Sequence, residues 1–186
     1  IIMEKVFHSR LTEFYETLAF HYKRGQSITK AIEYLVKSGE KSLLRYSLEE
    51  SHQYFLQAFE FLDKEAKKTI KDKERLIDLI NKWSLVFHFR GAYSDLIDLL
   101  KPHEDMASAL DDKVKIGLLF TWFGYALRAK ERLIEAHQYL IKALKIGEET
   151  ENIKIIGLSC AYLAFTCADM GLLDDAVSFG ERALEI

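Results

Sequence analysis

Residues able to carry acid–base, nucleophilic or metal chemistry are scattered through this chain, not gathered. Adjacent carboxylates stand at Glu49/Glu50, Asp111/Asp112 and Asp174/Asp175, and a close pair of that kind can divide the roles of general acid and general base. Each pair also sits at an expected helix start, where carboxylates satisfy unpaired N–H groups and oppose the helix dipole, so capping accounts for all three. The six histidines, His8, His21, His52, His88, His103 and His137, show neither HExxH spacing nor a paired cysteine; they imply no metal centre and are expected at the surface or in a groove. His8-Ser9 and Ser51-His52 are neighbours in sequence, which on a helix point about 100° apart and do not form a nucleophile–base couple. Gly25, Gly39 and Gly91 are isolated, and none stands immediately before the Lys-Ser or Lys-Thr pair of a phosphate loop. No catalytic, cofactor-binding or metal-ligating residue is expected, and no cofactor; the chain reads as a non-enzyme.

The balance of the composition points the same way. With 186 residues, 49% of them hydrophobic and 30% charged, the chain can bury a substantial core and is expected to form one unit. One proline and nine glycines leave few breaks, and the segments rich in Leu, Ala, Glu and Lys read as helix almost throughout. A net charge of −3, without a basic arm or track, argues against nucleic acid as a partner. Cys160 and Cys167 lie seven residues apart on one expected helix, about 10 Å along its axis, too far for a disulfide, and read as small core residues in a reducing compartment. The uncharged run Ile155 to Ala168 falls short of the roughly 20 apolar residues that span a bilayer. Glu4, Lys5, His8 and Arg10 interrupt any leader-like apolar stretch, so no membrane partner and a cytoplasmic location are expected.

The elements that would position a site are helices in pairs. From Thr121 to Glu148 two amphipathic helices close on a short turn, and the pattern recurs downstream. Leu163, Ala164, Cys167, Gly171, Leu173, Ala176, Phe179, Ala183 and Leu184 stand where Phe123, Gly124, Leu127, Glu131, Leu133, Ala136, Tyr139, Ala143 and Leu144 stood, an offset of 40. Small residues where helices cross and large ones where they interlock, at one fixed period, predict an all-α, right-handed superhelical solenoid of about five helix-turn-helix repeats. It is expected over 1–186 as one domain and a piece of a larger protein, with irregular repeats over 1–66 and regular ones over 73–186.

In chain order, one helix is expected over 3–24, with Ser27 capping a partner that carries Ile28, Ala31 and Leu35. An abbreviated helix over Gly39–Tyr46 precedes a long one capped by Ser47, and 63–75 reads as helix end plus connector. Helices then begin at Leu76, turning at Gly91, and at Tyr93, where Pro102 should kink the helix, with Met106 and Leu110 facing inward beyond it. Asp111/Asp112 open the fourth pair and Asn152 the fifth, which turns at Gly171.

The first helices of such pairs line one surface, and there Leu85, Tyr125 and Phe165 fall at steps of 40. Beside them run Asn81 and Thr121 on one side, His88 and Arg128 on the other. An apolar stripe edged by hydrogen-bonding and cationic groups suits an extended or helical peptide anchored by its aromatics. The alternative is that tightly curled helices bury these residues against their neighbours. Leu172, Phe179 and Leu184, in a last pair with no polar helix after it, offer a second surface, suited to a homodimer.

The columns Phe123, Gly124, Ala136, Ala143 and Leu163, Ala164, Ala176, Ala183 are similar to the tetratricopeptide (TPR) family, with Trp83, Ser84 and Leu96 as a looser copy. The period of 40 exceeds the usual 34, so the resemblance is to a long-helix variant. Leu11 to Leu62, with LAFHY, AIEYLVKSGEKS and EESHQYF, resembles the segment that follows the ATPase module in bacterial adenylate/guanylate cyclase-type signalling proteins. That resemblance implies a helical-repeat scaffold whose catalytic domains lie upstream, binding a protein or peptide partner or neighbouring domains of its own chain, or serving as an intramolecular spacer or dimerisation module.

Overall fold

The computed structural model describes residues 2–64 and 69–186 and is all-helical, with no strand among them. Residues 65–68, inside the stretch expected as a connector, lie outside the described residues. Two compact units, Ile1–Lys68 and Thr69–Ile186, are described separately.

In the first unit the helix expected over 3–24 is broken. A single turn, α1 (Ile2–Val6), leads into a 3-10 run (His8–Phe14) and then α2 (Tyr15–Arg24), with Arg10 out of helical conformation at φ −128°. The reason lies in Phe7 and Phe14: seven residues of α-helix would separate them by about 10 Å, yet their rings pack 4.6 Å apart. No residue of α1 or of the 3-10 run is buried. What ties the segment to its neighbours is Glu4, whose carboxylate accepts hydrogen bonds of 2.6 Å from both Tyr22 of α2 and Tyr34 of the next helix. Those two donors, Tyr22 first, hold the Glu4 carboxyl down to about 2. Hydrogen bonds to a charged group contribute about 1.5–3 kcal/mol each, and no buried apolar side chain of residues 2–14 adds to them.

Helix α3 (Ile28–Leu44) runs unbroken through Gly39, so the abbreviated helix expected over Gly39–Tyr46 is not a separate element. It packs against both α2 and α4 (Leu48–Asp63). At Gly39 α3 and α4 come close: a Cβ there would meet the Phe55 ring at 3.0 Å, and Ser51 Oγ donates to the Gly39 carbonyl at 2.8 Å. Ser27 and Ser47 occupy N-cap positions, but neither side chain makes a capping bond. The main chain closes these turns instead. Ser27 N–H reaches Tyr22 O and Ser47 N–H reaches Ser42 O, with Gln26 and Tyr46 at φ 57° and 56°, which is the Schellman arrangement.

The second unit opens six residues earlier than its apolar pattern suggests. Thr69 and Asp72 form a reciprocal capping box, starting α5 (Ile70–Arg90) inside a stretch whose charge reads as connector. Then come α6 (Tyr93–Leu100), a 3-10 turn at Lys101–His103, α7 (Glu104–Ser108), α8 (Lys113–Ala129), α9 (Leu133–Glu149), α10 (Ile153–Asp169) and α11 (Leu173–Leu184). At Pro102, where a kink was expected, the helix instead gives way to the 3-10 turn. Met106 is half-buried and Leu110 buried, whereas His103, expected at the surface or in a groove, is buried with Nδ1 2.8 Å from Leu99 O. Asp112 and Asn152 are capping side chains, accepting from Lys115 N–H and Ile155 N–H.

Helices α8 and α9, and α10 and α11, pack as pairs, and α5, α8 and α10 lie side by side. Leu140, Leu144, Cys160 and Leu163 form a core with Phe179 and Ala183 against it; both cysteines are buried and free. The crossing of α8 and α9 depends on Gly124, where a Cβ would come within 2.5 Å of Leu140 Cγ and 3.1 Å of the Ala136 carbonyl. Gly91, Glu131 and Gly171, forty residues apart, all adopt positive φ at the turns.

Two opposite stability changes follow. Gly124→Ala forces the α8/α9 crossing apart and is expected to cost about 1–3 kcal/mol. Glu131→Gly relieves a left-handed non-glycine residue and is expected to be neutral or to stabilise by up to about 1 kcal/mol. Urea unfolding followed by circular dichroism measures both.

Candidate peptide-binding groove

The face made by α5, α8 and α10 carries the residues expected to form a groove, and they differ in what they do. Asn81, on α5, is buried and donates from Nδ2 to the Lys115 carbonyl of α8 at 2.9 Å. Thr121, on α8, is buried too; its hydroxyl donates to Gly117 O and lies 3.3 Å from Ser159 Oγ of α10. These two tie one first helix to the next. Leu85 is half-buried on α5.

His88 meets Tyr125 across α5 and α8, and Arg128 meets Phe165 across α8 and α10, as two sets of contacts. His88 Nδ1 lies 2.7 Å from the Tyr125 hydroxyl, which in turn lies 3.3 Å from the Tyr93 hydroxyl at the start of α6. The Tyr125 ring packs on Tyr162 at 4.6 Å and meets Trp122 edge-on at 6.2 Å. Arg128 sits with its guanidinium carbon 5.2 Å from the centre of the Phe165 ring and pairs with Asp169 at 2.8 Å. Its Nε is buried without a hydrogen-bond partner. Phe165 itself is 57% exposed, a large apolar ring on the surface with a cation stacked against it. Thus the upper half of the stripe, toward the C-terminal ends of the three helices, offers aromatic faces and a cation, while its lower half is interhelical packing.

Burial sets the electrostatics. It pushes the His88 imidazole below its ordinary 6.5, favouring the uncharged ring. Burial first, then the Tyr93 hydrogen bond, pushes the Tyr125 phenol up, and burial does the same for Tyr162. The site presents hydrogen-bonding rings and one guanidinium. Among the described residues no three His, Cys, Asp or Glu side chains are placed to hold a metal ion, and no helix is long and apolar enough to cross a membrane.

Tyr93, Trp122, Tyr162 and Asp169 belong to this site and were not singled out from sequence. Trp122 and Tyr162 are themselves 40 residues apart, as are Phe89, Ala129 and Asp169; reading every column of the repeat for aromatics would have found the first two. Tyr93 opens a second helix in the column of Leu133 and Leu173, where its neighbours are aliphatic and give no aromatic signal.

No protein-family model matches this chain, and no curated protein matches it in sequence. Similar solved structures exist. Aspartyl phosphate phosphatase F from Bacillus subtilis superposes with a TM-score of 0.69 at 15% identity, over 97% of this chain and 53% of that one. The Rap conjugation gene regulator of plasmid pLS20, in complex with the Phr* peptide, gives 0.68 at 14% identity over 88% and 44%. A kinesin-light-chain-type protein of Podosopora anserina with nearly identical TPR-like repeats gives 0.62 at 15% identity over 95% and 94%. The chain thus spans about half the length of the first two. The fold is that of TPR-like helical-repeat proteins, about ten helices in helix-turn-helix repeats; identities this low show fold and not activity.

The half-buried His88 has a measurable consequence. Because its folded value lies below the unfolded 6.5, the unfolded chain takes up more protons as pH falls, and stability present above 6.5 is lost as pH drops through it toward the folded value. The His88 ring resonances are expected to titrate below 6.5. Denaturant unfolding between about pH 7.5 and 5.5 is expected to show a shallower loss of stability in His88→Gln than in the parent chain.

Proposed function

We propose that this chain is a non-catalytic protein–protein interaction scaffold that captures an extended or helical peptide on the face of α5, α8 and α10. The observation that carries this reading is the exposed Phe165 ring with Arg128 stacked on it, one helical turn on from the packed Tyr125 and Tyr162 rings. Few anchors of this kind supply most of the affinity at a recognition surface. Leu85 extends the apolar stripe, and His88 orients Tyr125. The Phr*-bound form of the Rap regulator supports the reading, as a peptide complex of a protein with this fold. The partner is a protein, a peptide or a neighbouring domain of the parent chain; nucleic acid and membrane are not proposed as partners.

The likeness of Leu11–Leu62 to the segment behind the ATPase module supports a finer placement, as the repeat region of an adenylate/guanylate cyclase-type signal-transduction protein in the cytoplasm. A second reading is a dimerisation module or spacer. It is favoured by α11, none of whose residues is buried and whose Leu173, Val177 and Leu184 are exposed. Sedimentation of a strictly monomeric chain at high concentration would remove the dimer form of that reading.

The test of the leading proposal is affinity capture with the full chain as bait beside Tyr125→Ala/Phe165→Ala. A bound partner is expected to lose about 2 kcal/mol or more, roughly thirtyfold in Kd, with helicity retained. Partner binding unchanged in the double variant would overturn the groove.

A further inference from the structure

The contact between Glu4 and the paired tyrosines has the form of a receptor occupied by its own chain. Tyr22 and Tyr34 stack with ring centres 5.6 Å apart and planes within 4°, and both hydroxyls point to one carboxylate at 2.6 Å. Lys30 Nζ stands 3.7 Å from the same carboxylate while it also pairs with Glu33 at 2.9 Å. Tyr34 is fixed from behind by Tyr15 at 5.9 Å and by the Lys37 ammonium over its ring. The tyrosine pair is therefore preorganised by α2 and α3, independently of what fills it.

The occupant is held with little apolar burial, Met3, Leu11 and Phe14 being only half-buried. Ile2 is 79% and Val6 63% exposed, and the segment joins α2 through a 3-10 run, so its release does not require α2 to unwind. The second unit contains the same chemistry with the opposite backing. There Tyr139 donates to Glu104 at 2.8 Å beside Lys101, and the helical stretch carrying Glu104 is flanked by the buried Leu100, Ala107 and Leu110. With apolar burial around it, that contact is a structural anchor. Without such burial, the Glu4 contact is one that another carboxylate can replace.

We propose that the Tyr22/Tyr34 pair with Lys30 is a binding site for a glutamate or aspartate side chain on a peptide segment of a partner protein, and that residues 2–14 are a displaceable strap filling it in cis. A peptide, not a free carboxylate, is the fitting occupant because Glu4 is presented from a single helical turn whose backbone sets the direction of its side chain. The site belongs to the first unit.

The experiment uses the full chain carrying Glu4→Ala, with its tyrosine rings followed by NMR. The probes are a peptide of residues 2–14, the same peptide with Gln in place of Glu4, and glutarate. The expected result is unchanged far-UV helicity outside the strap and saturable shifts of Tyr22 and Tyr34 with the acidic peptide. Binding should be about tenfold weaker for the Gln peptide, weaker still for glutarate, and abolished by adding Tyr22→Phe and Tyr34→Phe. Equal binding of the Gln peptide, or no binding of the acidic one, would overturn the proposal. Loss of helicity in Glu4→Ala would do so as well, by making Glu4 a structural anchor, and glutarate matching the peptide would overturn the peptide as ligand.

Discussion

Helix pairs can stack only if the chain reverses within three or four residues, and at six turns here one backbone conformation performs that reversal. A residue at positive φ ends the helix, and the next N–H bonds to a carbonyl five residues back. This happens at Gln26, Tyr46, Gly91, Glu131, Glu151 and Gly171, with Ser27, Ser47, Ala92, Arg132, Asn152 and Leu172 as the donors. The left-handed conformation costs a residue with a Cβ about 1–2 kcal/mol. At the four non-glycine positions it is tolerated because the side chains are exposed and the main-chain bonds satisfy the helix end. Successive turns stand 20 or 40 residues apart, save the step from Tyr46 to Gly91, so each regular helix with its turn occupies twenty residues. That spacing is what brings Tyr125 beside His88 and Tyr162.

Much of this was visible in the sequence because it is periodic. The columns 124/164 and 136/176 mark helix crossings, and Gly124 is indeed where α8 meets Leu140. Glycine turns at 91 and 171 were equally plain. Tyr46 and Gln26 were not, since neither residue type favours positive φ, and a turn closed by main-chain bonds leaves no signature in its side chains. The serines at 27 and 47 misled for the same reason: they stand at helix starts whose N–H groups they do not cap. Charge misled at Thr69–Asp72, where a capping box looks like linker composition.

The groove residues divide along a physical line that spacing alone does not show. Neighbouring positions on a helix turn about 100° apart, so a column at steps of 40 marks one face without saying whether that face meets solvent or the next helix. Asn81 and Thr121 meet the next helix and hold the first helices in register. Phe165 meets solvent, because no described helix packs over it. Between these extremes, His88 and Tyr125 are half-buried, which favours their uncharged forms and leaves them oriented. Interhelical packing and an exposed aromatic ring are therefore the two ends of the same stripe.

Hydrogen–deuterium exchange of the chain alone and with a captured partner measures directly whether the stripe is the recognition surface. Binding at the face of α5, α8 and α10 predicts added protection in the C-terminal halves of those helices, around Phe89, Tyr125 and Phe165, with α9 and α11 unchanged. Protection confined to α9 and α11 would contradict it and move recognition to the outer helices.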